Sequence, residues 1–329
     1  MNILVTGGAG YIGSHTVRAL LSSRRFTPVV FDNLSTGHAE SVPEGTVLVK
    51  GDIHDIDFVA DTLKKYDIQG VIHFAAYSLV GESMVDPAKY YTNNVEGTLH
   101  LLLGMKKAGV DKIVFSSTAA VYGEPEKTPI EEDFPYNPTN VYGRTKLVIE
   151  NMMRDFTNAY GLHYVALRYF NAAGAALDGS IGEDHNPESH LIPLILKTAQ
   201  GVRDHIAIYG TDYPTPDGTC IRDYIHVLDL ADAHVLAMKY LAEGGKSTYF
   251  NLGSEKGFSV REIIETAKKV TGIDFKVTEE ARRSGDPAIL IASSKKCRET
   301  LGWHPTHSTT EEIIASAWKW HKEHPYGYK

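Results

Sequence analysis

Val5-Thr6-Gly7-Gly8-Ala9-Gly10-Tyr11-Ile12-Gly13 is the stretch whose reading decides the fold. A short apolar β run over residues 1–5 leads into it. Residues 11–22 then show helical periodicity, with Ile12, His15, Thr16, Ala19 and Leu20 on one side. Strand, glycine-rich turn and helix thus follow one another directly. In such a unit the first glycine permits the tight turn, the second lets backbone approach a pyrophosphate, and the third lets helix and strand pack closely, with the phosphates on the helix N-terminus. Gly7, Gly10 and Gly13 hold those places, so the implied ligand is a dinucleotide.

A glycine-rich loop alone is weak evidence, because many serve only as turns. Context strengthens it. Residues 26–31 read as a second strand, and Asp32 stands at its end, nineteen residues beyond Gly13, where a carboxylate can take both hydroxyls of the adenosine ribose. The same charge repels a 2′-phosphate, so NAD is expected rather than NADP.

Size and composition narrow the class. With 329 residues, 43% of them hydrophobic, the chain can bury one large core or two ordinary ones. Its 33 basic and 41 acidic residues give a net charge of -8 without any basic tract, which leaves a nucleic acid or an anionic membrane no electrostatic footprint. No apolar run approaches the roughly 18 residues of a membrane span, and the chain starts on a strand rather than a signal peptide, so a cytoplasmic protein is expected. Cys220 and Cys297 lie far apart, which fits a reducing compartment. The 15 histidines form no helical His-x-x-x-His with a carboxylate neighbour, so no metal is expected.

Along the chain, a polar loop leads to a third strand at 46–50, followed by Asp52, well placed to meet adenine, and Ile53. Helical periodicity covers 58–66, and 70–76 reads as a buried parallel strand whose small end residues, Ala75 and Ala76, leave room for a cofactor. Pro87 opens a long helix to residue 108, and 112–116 is the next strand. Alternating strands and helices predict an α/β fold with a doubly wound parallel sheet, the Rossmann arrangement. The second half is richer in Pro, Gly, Asp and His. It carries helices at 191–200, 227–241, 259–270 and 309–322 and strands at 206–209 and 249–252. The expected organisation is a dinucleotide-binding domain of 1–168 plus about 227–253, and a smaller α/β substrate lobe of 169–226 plus 254–329.

The residues that carry chemistry are Ser116-Ser117-Thr118-Ala119-Ala120-Val121-Tyr122-Gly123 at a strand end and Tyr142-Gly143-Arg144-Thr145-Lys146 opening a helix. Tyr142 and Lys146 are one helical turn apart and share a face. A phenol of pKa near 10 is a poor base at neutral pH, but a lysine ammonium and a positive nicotinamide ring nearby both favour the phenolate. Thr118, at the carboxyl end of a parallel strand, can hydrogen-bond the same substrate oxygen.

With a dinucleotide loop in the same chain, these residues resemble the extended short-chain dehydrogenase/reductase family, and within it the enzymes that act on nucleotide sugars. The likeness runs almost end to end: 6–14, 32–34, 51–53, 73–75, 80–83, 90–97, 116–123, 142–146, 168–174, 182–184, 212–214, 217–219, 222–226 and 251–253. Arg168-Tyr169-Phe170-Asn171-Ala172-Ala173-Gly174 and the run from Asp212 to His226 point to C4 epimerases. The resemblance implies interconversion of UDP-galactose and UDP-glucose through a 4-keto sugar, with Tyr142 as base, Thr118 and Lys146 beside it, and NAD kept as a tightly bound group. It also implies NAD contacts from Tyr11, Ile12, Asp32, Asn33, Asp52, Ile53, Phe74, Ala75, Asn93, Lys146 and Phe170. The UDP-sugar would meet Asn171, Leu191, Ala207, Ile208, Tyr209, Arg222, Arg283 and Asp286. A homodimer is the assembly it suggests. Of these contacts, Arg222 and Arg283 have independent physical support, because a pyrophosphate in a net-acidic protein needs guanidinium partners. Salt bridges of Arg222 with Asp223 and of Arg283 with Asp286 are the structural alternative.

Two departures from the family pattern matter. Ser78 stands where many members carry a lysine that holds the nicotinamide ribose. Leu290 stands where a bulky tyrosine excludes N-acetylated sugars, so turnover of UDP-GlcNAc and UDP-GalNAc is expected as well. Ala119 and Ala120 occupy the places where related dehydratases carry acids, which speaks against water elimination. Epimerases of UDP-glucuronate or UDP-xylose, and a cofactor-sensing relative without chemistry, are the other readings. The latter conflicts with the presence of Thr118, Tyr142 and Lys146 together.

Overall fold

Alternate residues of β1 (Asn2–Thr6) enter different cores, and this makes the fold three-layered. Ile3 and Val5 join the apolar cluster on one face of the sheet, whereas Leu4 joins the cluster on the other, as a period of two requires. The computed structural model describes residues 1–283 and 286–328.

The chain continues through β2 (Thr27–Asp32), β3 (Val47–Lys50), β4 (Ile68–His73), β5 (Lys112–Ser116) and β6 (His163–Arg168). It then enters a smaller lobe with β7 (Asn171–Ala173), β8 (Ile206–Tyr209), β9 (Ile221–Arg222) and β10 (Tyr224–His226). β11 (Thr248–Asn251) returns beside β6, completing a seven-stranded sheet of order β11-β6-β5-β4-β1-β2-β3 with every pairing parallel. The direction of winding reverses between β1 and β4, the switch point where open α/β sheets bind ligands. In the lobe, β13 (Val277–Glu280) pairs with β8, while β12 (Phe258–Ser259) and β14 (Ile289–Leu290) flank β9.

The helices are α1 (Tyr11–Ser22), α2 (Ile56–Lys65), α3 (Val80–Val85), α4 (Pro87–Tyr90), α5 (Gly97–Ala108), α6 (Val141–Tyr160), α7 (Leu191–Ala199), α8 (Val227–Ala242), α9 (Val260–Thr271), α10 (Lys295–Leu301) and α11 (Thr310–Glu323). Val17 and Leu20 of α1 pack with Leu230, Ala233 and Met238 of α8 on one face of the large sheet. On the other face lie Val59 and Leu63 of α2, Leu101 and Met105 of α5, and Ile149 and Met153 of α6. A separate core under the lobe joins Ile195 and Leu196 of α7, Ile263 and Ile264 of α9, and Ile313 and Ile314 of α11. The fold is therefore a doubly wound α/β sheet with a second, smaller α/β lobe. Among the described residues no helix is long and apolar enough to cross a membrane.

Three expectations need correction. The helix predicted over 87–108 is α4, a π-helical turn at Tyr91–Glu96 and then α5. A period of 3.6 reads straight through one wide turn, so periodicity cannot reveal it. The strand predicted over 70–76 ends at His73, whose ring is held between Thr6 Oγ1 (2.6 Å) and Thr98 Oγ1 (2.9 Å). Beyond it the chain leaves the sheet to cross over Gly7. The helix predicted from residue 58 starts at Ile56, because Asp55 caps it by accepting from the Phe58 N–H at 2.9 Å. α3, α10 and the short lobe strands carry too little periodicity to stand out.

Candidate active site

The turn between β1 and α1 is shaped by what it excludes. Gly7 has φ +70°, and a Cβ there would lie 2.6 Å from the Ala75 nitrogen. A Cβ on Gly13 would lie 2.1 Å from the Gly7 carbonyl oxygen. Neither position can carry a side chain. Gly10 differs: a Cβ on it would meet only the Gly7 oxygen, at 3.3 Å, so its outer side is open. α1 starts there with no side-chain cap and no acidic residue in its first turn. Uncapped amide N–H groups with the positive end of a helix dipole form a cradle for an anion, and these residues fit a dinucleotide pyrophosphate.

Asp32, buried at the end of β2, accepts from Ala9 N through Oδ2 and from Leu34 N through Oδ1, each at 2.9 Å. Burial raises its pKa and the two amides pull it back. Beside it, Asn33 Nδ2 donates to Asp52 Oδ2 at 3.2 Å, and the ring of His54 lies 2.6 Å from Asp52 Oδ1. Ile53 is buried in the core behind Asp52.

Phe74 and Ala75 cross over Gly7 with their backbone against the glycine turn, and both side chains are partly buried against the flanking cores. Ser78 is exposed further along this loop, after Ala76. The loop is clamped by a residue that sequence reasoning missed. Asn94, fully buried in the π turn, accepts from Tyr77 N at 2.9 Å and donates to Tyr77 O at 3.0 Å, while its neighbour Asn93 donates to Asn94 Oδ1 at 2.9 Å. A π turn is itself a signal of a functional segment.

Tyr142 is brought to Thr118 by a close approach of backbone. Gly143 sits under the turn after β5 so tightly that a Cβ would lie 2.8 Å from the Ala120 oxygen. Asn140 caps α6 by accepting from Gly143 N at 2.8 Å, and Ser83, another residue the sequence reading left without a role, accepts from Tyr142 N at 3.1 Å. The Thr118 hydroxyl accepts from Ala120 N at 3.1 Å and faces the Tyr142 phenol. Lys146, 2% exposed, donates from Nζ to the Ser116 carbonyl at 2.8 Å. Behind it, Glu150 accepts from Ser117 Oγ at 2.6 Å and from Arg168.

Burial sets the protonation of this pair before any cofactor is considered. Burial pushes Tyr142 up to about 12, the Thr118 hydrogen bond offsetting part of this, and burial pushes Lys146 down to about 7, with the Glu150 carboxylate pulling it back. Burial thus outweighs any help from Lys146, and the protein's own side chains leave Tyr142 a phenol at neutral pH.

Tyr11 is the residue whose side chain goes elsewhere. Its hydroxyl donates to Gly174 O at 2.6 Å, tying α1 to the smaller lobe, so only its backbone N–H faces the cradle. On the lobe side, Asn171 Nδ2 donates to Asp223 O at 2.9 Å. Leu191 opens α7, and Ala207, Ile208 and Tyr209 lie on β8. Arg222 Nη2 donates to Asp286 at 3.3 Å rather than to Asp223, which is buried against Ser254 and Ala292. Arg283 lies 3.9 Å over the Tyr209 ring. Leu290 pairs in register with Arg222 and packs with Ala119, Val121, Tyr122 and Phe170.

The model of the NAD dependent epimerase/dehydratase family matches residues 3–253. The UDP-glucose 4-epimerase of Lacticaseibacillus casei is 54% identical over 328 residues, covering 100% of this chain and 99% of the relative. Among solved structures, the UDP-glucose 4-epimerase from Brucella ovis in complex with NAD superposes with a TM-score of 0.94 at 51% identity, over 96% of this chain and 97% of that one. The UDP-glucose 4-epimerase from Bifidobacterium longum in complex with NAD+ and UDP does so with a TM-score of 0.93 at 38% identity, over 100% of each chain.

Proposed function

Because the chain belongs to the NAD dependent epimerase/dehydratase family, we propose that it interconverts UDP-galactose and UDP-glucose by inverting C4 of the hexose, with NAD held as a tightly bound cofactor. The observation that carries this reading is the seating of Tyr142, through Gly143, against the Thr118 turn at the end of β5.

NAD, when bound, supplies the acceptor and donor of a hydride, and its positive ring favours the Tyr142 phenolate that burial opposes. Tyr142 takes the proton of the sugar 4-hydroxyl and returns it after inversion, while Thr118 hydrogen-bonds the same oxygen. Lys146, anchored on Ser116 O, holds the nicotinamide ribose and adds positive charge behind the phenol. Tyr11 and Ile12 offer backbone N–H groups to the pyrophosphate, and Asp32 takes the adenosine ribose hydroxyls. Asn33, Asp52 and Ile53 border adenine. Phe74, Ala75, Ala76, Ser78, Asn93 and Phe170 border the nicotinamide half, although Ser78 is too short to replace a lysine directly. The UDP-sugar is met by Asn171, Leu191, Ala207, Ile208, Tyr209, Arg222, Arg283 and Asp286. Arg222 pairs with the pyrophosphate in competition with Asp286. The aliphatic Leu290 beside Ala119 and Phe170 leaves room for an N-acetyl group. The two halves of the chain divide the work between 1–168 plus about 227–253 for cofactor and the rest for substrate. The protein works as a cytoplasmic homodimer.

Purified protein is expected to convert UDP-galactose to UDP-glucose without added NAD, and Tyr142→Phe to lose about 100- to 10,000-fold in turnover. Undiminished turnover in that variant would remove Tyr142 as the base. UDP-GalNAc offered in the same assay is expected to react, and a lack of turnover would overturn the role given to Leu290. Light scattering in solution tests the dimer.

A further inference from the structure

The loop from β7 to α7 gathers four side chains of metal-ligating type to which the proposed reaction gives no role. Glu183, His185, Glu188 and His190 each offer one ligand atom, and all four atoms lie within 4.8 Å of one another. His185 Nδ1 is 3.1 Å from Glu183 Oε1 and 3.8 Å from Glu188 Oε2. His190 Nδ1 is 2.7 Å from Glu183 Oε1 and 3.2 Å from Glu188 Oε1. A tetrahedral ion with bonds of about 2.0–2.1 Å keeps its ligand atoms about 3.3 Å apart, and these histidine–carboxylate separations scatter around that value, with Glu188 meeting the two rings through different oxygens. We propose that these residues form a structural Zn²⁺ site that braces this loop against α1.

Several features support an ion here over a simple network of ion pairs. The two carboxylates are withdrawn from water, with side chains 5% and 3% exposed. The Nδ1 of His190 is itself shielded from water, although the rest of its ring is partly exposed, and it faces both carboxylates at once, at 2.7 Å from Glu183 and 3.2 Å from Glu188. That position lies toward a point shared by the groups. A divalent cation would neutralise the two carboxylates while both imidazoles stay uncharged. Two imidazoles with two carboxylates are a donor set suited to zinc, and four protein ligands leave no open position, the mark of a structural site.

The backbone holds these ligands in place independently of any ion. Trp320 Nε1 donates to Glu183 O at 3.2 Å, and Glu188 Oε1 accepts from Ser189 N and His190 N at 2.7 and 2.8 Å. The edge of the Tyr11 ring meets His185, with centroids 6.2 Å apart. Since Tyr11 is the first residue of α1, the ion would stiffen the loop next to the anion cradle. The spacing Glu-x-His-x-x-Glu-x-His belongs to a loop, which explains why a search for helical histidine pairs passes over it.

The test is metal binding by the whole protein. After stripping with a chelator and dialysis, wild type is expected to take up one equivalent of Zn²⁺ in competition with a chromophoric chelator, and His185→Ala/His190→Ala to bind it at least 100-fold more weakly. Zn²⁺ is also expected to raise the melting temperature of wild type but not of the double variant. Should that variant misfold, Co²⁺ titration of wild type decides alone: intense visible bands of four-coordinate Co²⁺ support the site, and the weak bands of a six-coordinate ion overturn it. Equal Zn²⁺ uptake by wild type and the double variant, or none by either, also overturns it.

Discussion

Arg168 sits side-on against Glu150, its Nε donating to Oε1 at 2.9 Å and its Nη2 donating to Oε2, with the two residues 0% and 6% exposed. The guanidinium also lies 4.1 Å over the Tyr249 ring and 4.6 Å over that of Tyr136. Such a pair matters less for the stability it adds than for what remains if one partner is removed. Arg168→Met leaves the Glu150 carboxylate in the core without its guanidinium, with Ser117 Oγ as its remaining hydrogen-bond donor, and is expected to cost about 3–5 kcal/mol in urea unfolding. Adding Glu150→Gln should recover part of that loss. A single-variant loss under about 1 kcal/mol, the scale of a surface pair, would show the pair to be better hydrated than its burial implies.

Gly143→Ala tests the close approach that seats Tyr142. A methyl group 2.8 Å from the Ala120 oxygen forces α6 and the Thr118 turn apart, and misplacement of this kind is expected to lower turnover about 100-fold. Gly81→Ala is the control, since nothing lies within 4 Å of its added methyl, and it should behave as wild type. Equal turnover in the two variants would refute the packing argument.

Asp32→Ala removes the acceptor of both the Ala9 and Leu34 amides as well as that proposed for the ribose. Loss of hydrogen bonds to a charged acceptor corresponds to about 10- to 100-fold weaker NAD retention. The measurement is the nucleotide released on acid denaturation of purified protein. Retention at wild-type level would place the adenosine ribose elsewhere.

Acid stability follows from buried neutral histidines. Burial pushes His73 down to about 3, with Lys146 adding to the effect, and pushes His226 and His234 down to about 4. The unfolded chain binds these protons near pH 6.5 while the native state refuses them. Their contribution is therefore fully present above pH 6.5 and is lost as pH falls toward 4, on the order of 3 kcal/mol for each residue. Asp223, raised to about 6 by burial, acts in the opposite sense below pH 6, and Asp32, Glu132 and Asp232, also raised by burial, offset part of the loss in the same way. Urea midpoints are expected to fall steadily between pH 7 and pH 5, and a flat profile would contradict the burial argument.

Much of this was readable from residue order alone. The spacing of Gly7, Gly10, Gly13 and Asp32 is local, because one strand, one turn and one helix hold all four, and Tyr142 and Lys146 share a helical face by arithmetic. Near-continuous apolar runs in β1, β2, β4 and β5 likewise announce strands buried on both faces. What could not be read are residues whose role is to support others. Ser83 and Asn94 resemble ordinary helix residues until Ser83 meets the Tyr142 amide and Asn94 meets Tyr77. Arg222 finds Asp286 rather than its neighbour Asp223, because the Asp223 carboxylate is turned inward and taken by Ser254 and Ala292.

The sequence by itself therefore determined the parallel α/β class, the dinucleotide cradle and the Tyr–Lys pair, since each depends on short-range periodicity or on glycine's freedom from a Cβ. Tertiary structure alone decided how charge is distributed within the site. Burial, not the nearness of Lys146, governs the Tyr142 phenol, and the grouping of Glu183, His185, Glu188 and His190 arises from a loop folded back on itself. Desolvation and side-chain convergence depend on what surrounds a group in space. The Gly7 turn is accordingly legible in nine residues, while the chemistry beside it needs the whole chain.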